Sequence, residues 1–387
     1  MDTLDRIADL AEDDRTARIA LTLGCQPGDD LAALAVARHG ALETLHYMLT
    51  GPKPGETLPM RAWRESIAQR LDPNKLEAAL EQTQELGLEV VIPSDPGWPI
   101  PRADTAPVPL TLWTQGDAML LAAPHTSRCA VVGSRAGTDY GVKVTRDLAS
   151  GLAQQGVTVV TGGSQAIGTA ALRAASAHGG RVVVALAGGL DQHFPASNAA
   201  LFERAADDGG VLVSADPPGQ RPGRTRFLMR NRRIAALSGA VVLTEAGHRT
   251  SVLGIAHHAV RIGRPVGAVP GPVTSSASDG VNSLLRERAA HAIIHSGDAV
   301  ALLTAGTRIN SLVPPRTQPR TLEARTRRRR PTRPTHRAHA LTRSACGAPL
   351  PARTCRSGPS VGCPSASRRG GAEAPDGYQN TTEGGTA

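Results

Sequence analysis

Apolar residues recur three and four positions apart through LDRIADLAE and DDLAALAVARHGALETLHYML, both within residues 1–49, the spacing that lines one face of a helix. Asp29 or Asp30 stands where an N-cap would open the second stretch. GPKPGETLP (51–59) breaks the pattern. RAWRESIAQRLDPNKLEAALEQTQELG then resumes it, with an interruption near Asp72-Pro73-Asn74. This predicts a small helical domain over 1–87. From LEVVIPSDPGWP the pattern changes to short, nearly continuous apolar runs at 129–134, 157–163, 181–189, 211–215, 240–246 and 265–271. Strands of a parallel sheet, buried on both faces, read in this way. Helical spacing near 140–155, 167–177 and 251–262 joins several of them. The predicted fold class is α/β: an extended Rossmann-like, open, mostly parallel sheet over 88–307, preceded by the helical domain. Ligands on such sheets sit beyond the carboxyl ends of the strands. After about residue 307 periodicity stops, and the Arg-, Pro- and Ser-rich segment 308–387 reads as a disordered tail.

Charge changes this picture in one respect. The 387-residue chain carries a formal +9, yet the segment from Arg308 onward holds 15 Arg against 4 acidic residues, leaving 28 basic and 30 acidic residues before it. The predicted folded part is therefore almost neutral, and overall basicity is weak evidence for nucleic-acid binding. The Arg run 327–330 suits phosphates through charge and equally suits a solvated tail. Aromatic residues make up only 2% of the chain, which argues against a device built on many stacking rings. No 18-residue apolar run and no apolar signal core occur, so no membrane partner is expected and the default location is cytoplasmic. The five cysteines are too widely spaced for a disulfide framework or a close-pair zinc site.

Three predicted strand ends carry glycine. Gly133-Ser134-Arg135 follows the first core strand, and backbone N–H groups in such a strand-to-helix turn can hold an anion, with the Arg135 fork suited to phosphate. Gly162-Gly163-Ser164, after Thr161, is the second such turn, and Gly188-Gly189-Leu190-Asp191 the third. Together they point to one phosphate-binding rim, although any one of them can mark only a tight turn. Neither GxGxxG nor GxxxxGK[ST] is present, so a standard dinucleotide or nucleoside-triphosphate site is unsupported and no cofactor is expected. In FLMRNRRIAALS (227–238), Arg230, Asn231, Arg232 and Arg233 open an apolar helical run. Arg230 and Arg233 share a face if the segment is helical, and Arg232 points elsewhere. Cationic residues at a helix start are unfavourable unless an anion is held there, or unless Asp207, Asp208 or Glu245 pairs with them. Asp191 and His193, and the pair His257/His258, match neither HExxH nor a metal-ligand spacing. Cys129 opens a strand and is expected to be buried and inert. No catalytic residue and no metal site is assigned.

These pieces resemble the DprA/Smf family of bacterial DNA-processing proteins. The resemblance rests on VVGSRAGTDYG (131–141), TGG (161–163), AGGLDQHFP (187–195), the Ser214/Pro217/Pro218/Gly219 turn, FLMRNRRIAALS (227–238), VVLTEA (241–246) and GRPVGAVPG (263–271) with Asp279-Gly280 and Asn282. They follow one another in family order over about 95–300. The resemblance implies a non-enzymatic protein that binds single-stranded DNA in a basic pocket, forms a homodimer and loads the RecA recombinase on incoming DNA during natural transformation. It also implies a sterile-alpha-motif-like N-terminal domain. On this reading phosphates meet Gly133, Ser134 and Arg135, then Gly162, Gly163 and Ser164, then Arg230, Asn231, Arg232 and Arg233, with Tyr140 and Phe227 as the aromatic candidates. The chain departs from the family where Ser164-Gln165-Ala166-Ile167-Gly168 stands for Ala-Arg-Gly-Ile-Asp, where Thr250-Ser251-Val252-Leu253 stands for Ser-Gly-Ser-Leu, and where Ala215 replaces a Glu. A winged-helix domain is not apparent. Two other readings use the same rim: a nucleotide phosphoribohydrolase-like enzyme, whose Pro-Gly-Gly-x-Gly-Thr turn is not reproduced at Thr244-Glu245-Ala246-Gly247, and a nucleotide-sensing binding module.

Overall fold

The computed structural model describes residues 3–52, 54–100 and 108–312. The tail expected from 308 lies outside the described residues from 313 onward, including the Arg run 327–330. Six helices come first: α1 (Thr3–Leu10), α2 (Asp14–Gly24), α3 (Asp30–His39), α4 (Ala41–Leu49), α5 (Leu58–Ala68) and α6 (Pro73–Glu85). Their starts are chemically marked. Asp13 and Thr16 form a capping box on α2, Asp29 rather than Asp30 accepts from the Ala32 N–H at the start of α3, and Asp72 precedes a proline at the first position of α6.

Nine strands follow: β1 (Glu89–Val91), β2 (Leu112–Gly116), β3 (Arg128–Val132), β4 (Thr158–Thr161), β5 (Val182–Ala185), β6 (Val211–Ser214), β7 (Ala240–Leu243), β8 (Val266–Ala268) and β9 (His291–Ala292). Between and after them run α7 (Met119–Ala122), α8 (Asp139–Gln154), α9 (Ile167–Ala177), α10 (Ala199–Asp207), α11 (Arg224–Ala236), α12 (Leu253–Arg261), α13 (Asp279–Arg286) and α14 (Ser296–Leu312). The sheet order is β1-β2-β6-β5-β4-β3-β7-β8-β9. β2 runs antiparallel to both its neighbours, and all other pairs are parallel. The fold is therefore α/β, with a mixed, mostly parallel sheet and flanking helices.

Alternation along the strands sorts the core into two layers. Cys129, Val131, Val159, Val184 and Val242 pack with Leu148, Leu152, Leu172 and Phe202 of α8, α9 and α10. Ala130, Val132, Val160, Val183 and Val241 pack with Ile234 of α11 and Ile255 of α12 on the other face. The first layer continues into the N-terminal helices through Trp113 of β2, whose Nε1 donates to Thr83 Oγ1 of α6 at 3.1 Å. Residues Met1–Thr317 accordingly belong to one compact unit.

Several elements were not read from the sequence. β2, β9, α7, α10, α13 and α14 went unassigned; β9, with two residues, carries no period of its own. The apolar runs overestimate strand length, since their glycine ends at 133, 162–163 and 188–189 have left the sheet as turns. Helix α14 also passes the expected boundary at 307. The feature that positions a site is the reversal of strand order. The chain steps from β3 through β4 and β5 to β6 on one side, then returns to β7 on the other side of β3. A crevice opens at such a switch point, between the carboxyl ends of β3 and β7. Among the described residues no helix is long and apolar enough to cross a membrane.

Candidate functional site

A cavity of about 710 Å³ lies over that crevice. Its wall takes Gly133, Ser134 and Arg135 from the turn after β3, Gly162 and Ser164 from the turn after β4, Phe194 from the loop after β5, and Arg224, Phe227, Arg230 and Asn231 from α11. Arg249 and Thr250–Val252 close the side after β7. Four arginines and no Asp or Glu stand among its lining residues.

Arg230 is the central cation. Its Nη1 donates to the Gly162 carbonyl at 2.9 Å, its guanidinium lies 5.2 Å from the centre of the Phe227 ring, and its buried Nε has no hydrogen-bond partner. Burial, then the nearby Arg233 and Arg135 charges, bring its pKa down to about 10. A guanidinium with so little compensation is poised for an anion. The glycine at 162 is dictated by this contact, because a Cβ there would land on Arg230 Nη1. At 163 the backbone takes φ +57° and a Cβ would strike the Phe202 ring, so the glycine there is required sterically, while at 162 it keeps the place of the Arg230 guanidinium.

Phe194 and Phe227 meet edge to face, ring centres 5.5 Å apart. The chain has three Phe in all, and Phe194 is 46% exposed, so two of the three present ring surface at the cavity mouth. Phe194, Arg224 and Arg249 were missed from the sequence. The signal available was the scarcity of Phe, which makes two of them near Gly- and Arg-rich turns notable.

The structure separates other expected site residues. Helix α11 begins at Arg224, after Gly223, so Arg230 lies in its second turn and not at its start. The Arg230–Arg233 cluster is therefore not at the positive end of the helix, where Arg224 and Arg226 stand instead. Arg230 and Arg233 do not share the cavity: Phe227, Arg230, Asn231 and Ile234 face it, while Arg226, Met229, Arg232 and Arg233 face a separate cavity of about 90 Å³ beside α2 and α3. Buried Arg233 lies 3.6 Å from Asp216 and Arg226 lies 2.8 Å from it, so the acidic partner is Asp216 and not Asp207, Asp208 or Glu245. Arg232 Nη1 lies 3.9 Å from Met229 Sδ. Asn231 is buried and donates Nδ2 to the Ser251 carbonyl at 3.1 Å, tying α11 to the loop after β7. Gly163 points away from the cavity, its carbonyl accepting from Asn198 Nδ2 at 2.9 Å. Tyr140 gives its hydroxyl to the Pro270 carbonyl at 2.6 Å and does not line the cavity.

The third glycine turn is also diverted. Gly188 and Gly189 are buried against the 217–222 loop: Gly189 N–H donates to the Gln220 carbonyl at 2.8 Å, and the Gly188 carbonyl accepts from Ser214 Oγ at 2.6 Å. Only the Phe194-Pro195 end of that loop reaches the cavity. His193 stands 4.0 Å from Glu203 and outside it. Cys129 is fully buried and burial pushes its thiol up to about 12, as an inert core residue requires. Among the described residues no group of three or more His, Cys, Asp or Glu is placed to hold a metal ion.

Comparison with known proteins follows the same outline. A family model described as DNA recombination-mediator protein A matches residues 89–304. A putative DNA processing protein DprA of Mycobacterium tuberculosis (strain H37Rv) is 46% identical over 222 residues, covering 54% of this chain and 56% of the relative. The match thus spans little more than half the length of that curated relative. The X-ray structure of DNA processing protein A from Streptococcus pneumoniae superposes with a TM-score of 0.60 at 26% identity, covering 73% of this chain and 95% of that one. DNA processing protein A from Helicobacter pylori, whose structure addresses its single-stranded DNA binding mode, gives a TM-score of 0.50 at 26% identity over 56% of this chain and 96% of that one.

Proposed function

The chain belongs to the DNA recombination-mediator protein A family, and from that premise we propose that it binds single-stranded DNA in the cavity over the β3/β7 crevice and loads the RecA recombinase onto it, as a homodimer in the cytoplasm. The observation that carries the reading is a cavity lined by Arg135, Arg224, Arg230 and Arg249 with no acidic residue, and with exposed Phe194 and half-buried Phe227 at its mouth. Phosphates meet the arginines and the Gly133–Arg135 and Gly162–Ser164 turns, and a base meets the Phe pair. Phosphate contacts carry little sequence information, so binding is expected to be general. Stacking on two rings favours single strands, whose bases are free. Within this reading Asn231 positions the Ser251 loop. Arg232 and Arg233 support α11 from its other side, and Tyr140 braces α8. The helical segment 1–87 acts as a sterile-alpha-motif-like part packed against a Rossmann-like domain over 88–307, with 308–387 as an accessory tail.

The test is fluorescence anisotropy of a labelled single strand of about 35 nucleotides, with matched duplex as control, on the full chain, on a chain ending at Thr317 and on an Arg135→Ala/Arg230→Ala variant. Four phosphate contacts predict a log–log salt slope near −3, at roughly −0.7 per phosphate. Preference for single strands that survives removal of the tail and fails in the double variant supports the reading. Binding that vanishes with the tail, or that ignores the double variant, refutes it.

A further inference from the structure

The turn that presents Arg135 is fastened at both ends by one residue. Glu245 follows β7 and is 1% exposed. Its backbone carbonyl accepts from the Ser134 N–H at 2.8 Å. Its side chain accepts at Oε2 from the Thr138 N–H at 2.7 Å and at Oε1 from Thr138 Oγ1 at 2.6 Å. Thr138 Oγ1 in turn accepts from the Gly141 N–H in the first turn of α8 at 3.2 Å. A Cβ at Gly141 would lie 2.5 Å from Glu245 Oε2, so the bare backbone at 141 is what lets the carboxyl group settle against the helix start. Between the two fastened points, Ser134 and Thr138, stand exposed Arg135, Ala136 and one glycine, Gly137, and Gly133 precedes them.

In an open α/β sheet the helix N-terminus at the switch point is the usual seat of a ligand anion. Here the protein fills that seat with its own carboxylate. We propose that Glu245 is the positioning residue of the DNA site: its carboxylate occupies the anion seat at the start of α8, locks the 133–138 turn, and so holds Arg135 over the cavity to meet a phosphate at the rim. This rests on the DNA-binding reading above. The turn's glycines would otherwise sample many conformations, and the strand would bear the cost of ordering them on binding, as with any loop that is not preorganised.

The experiment is a double-mutant cycle on the full chain, read by anisotropy with the same labelled strand over a salt series. The variants are Glu245→Ala, Thr138→Val, Arg135→Ala and Glu245→Ala/Arg135→Ala. Glu245→Ala and Thr138→Val each weaken binding by about 3- to 10-fold and reduce the salt slope by about 0.7, as Arg135→Ala does. The Glu245→Ala/Arg135→Ala protein binds no more weakly than Arg135→Ala alone. If Glu245→Ala weakens the Arg135→Ala protein by the same factor as the wild type, Glu245 acts on the fold in general and the proposal fails. It fails equally if both clamp variants bind as the wild type does. Thr138→Val breaks the clamp from the opposite side with little change of volume, so it carries the cycle should Glu245→Ala not fold. A wild-type chain without affinity for the strand overturns the DNA-binding reading and this inference together; wild-type binding with an additive cycle overturns the inference alone.

Discussion

Replacing Arg230 by Met separates the cost of the site from its use. Burial and the Arg233 and Arg135 charges lower the Arg230 pKa from the usual guanidinium range to about 10, which corresponds to about 3 kcal/mol held against the charged form. Partial exposure trims this to about 2 kcal/mol. The sign follows from linkage: above about pH 10, up to the usual guanidinium value, the folded state binds fewer protons than the unfolded one, so stability rises with pH only there and the penalty is full at pH 7. Against it stand the hydrogen bond to the Gly162 carbonyl, about 1 kcal/mol, and the Phe227 ring contact, about 0.5–1 kcal/mol. The balance predicts that Arg230→Met leaves the DNA-free protein as stable as the wild type, or more stable by up to about 1 kcal/mol. Loss of a charged hydrogen bond to phosphate removes about 1.5–3 kcal/mol of binding, or about 10- to 100-fold in Kd. Urea unfolding at pH 7 reads the first effect and anisotropy over a salt series reads the second, where the slope falls by about 0.7. Destabilisation of the free protein by more than about 2 kcal/mol, with unchanged DNA affinity, would show Arg230 to be a structural cation and refute the reasoning.

Three further outcomes are expected. Gly162→Ala places a Cβ on Arg230 Nη1; it should weaken single-strand binding about tenfold, one phosphate contact's worth, while shifting the thermal midpoint by only a few degrees. Ala166 holds φ 54°, ψ −101° at the start of α9, a conformation costly for any residue with a Cβ, so Ala166→Gly should raise unfolding stability by about 1 kcal/mol in a urea titration. His258 is buried, accepts from Arg261 Nη2 at 2.6 Å, and is pushed down to about 4 by burial and then by the Arg261 and Arg232 charges. Its lowered folded-state value means that stability present above pH 6.5 is lost as pH falls toward 4, by about 3 kcal/mol; His258→Gln should flatten that part of the urea-midpoint profile, and an unchanged profile would refute the assignment.

Local pattern determined a good deal of this protein. The helical period of residues 1–87, the valine-rich strands and the helix over 167–177 follow from which residues can be buried at each backbone repeat, and that information is local. The glycine turns at 133 and 162 and Arg230 were visible for the same reason: each is a backbone or charge requirement written at its own position. Convergence was not local. The third glycine turn looks like the first two, yet it packs on the 217–222 loop, because β5 lies two places from the switch point and β3 lies at it. The face on which Arg230 or Arg233 falls depends on where α11 begins, and Gly223 gives a weak start signal. Phe194 meets Phe227, and Thr138 meets Glu245 across 107 positions of sequence, only because strand order brings loops from separate crossovers to one edge. The residues therefore announced an α/β sheet with a rim of glycine turns and arginines, while the tertiary structure chose which turns line the cavity and which carboxylate meets the 134–138 turn, since both depend on contacts between segments that no sequence period links.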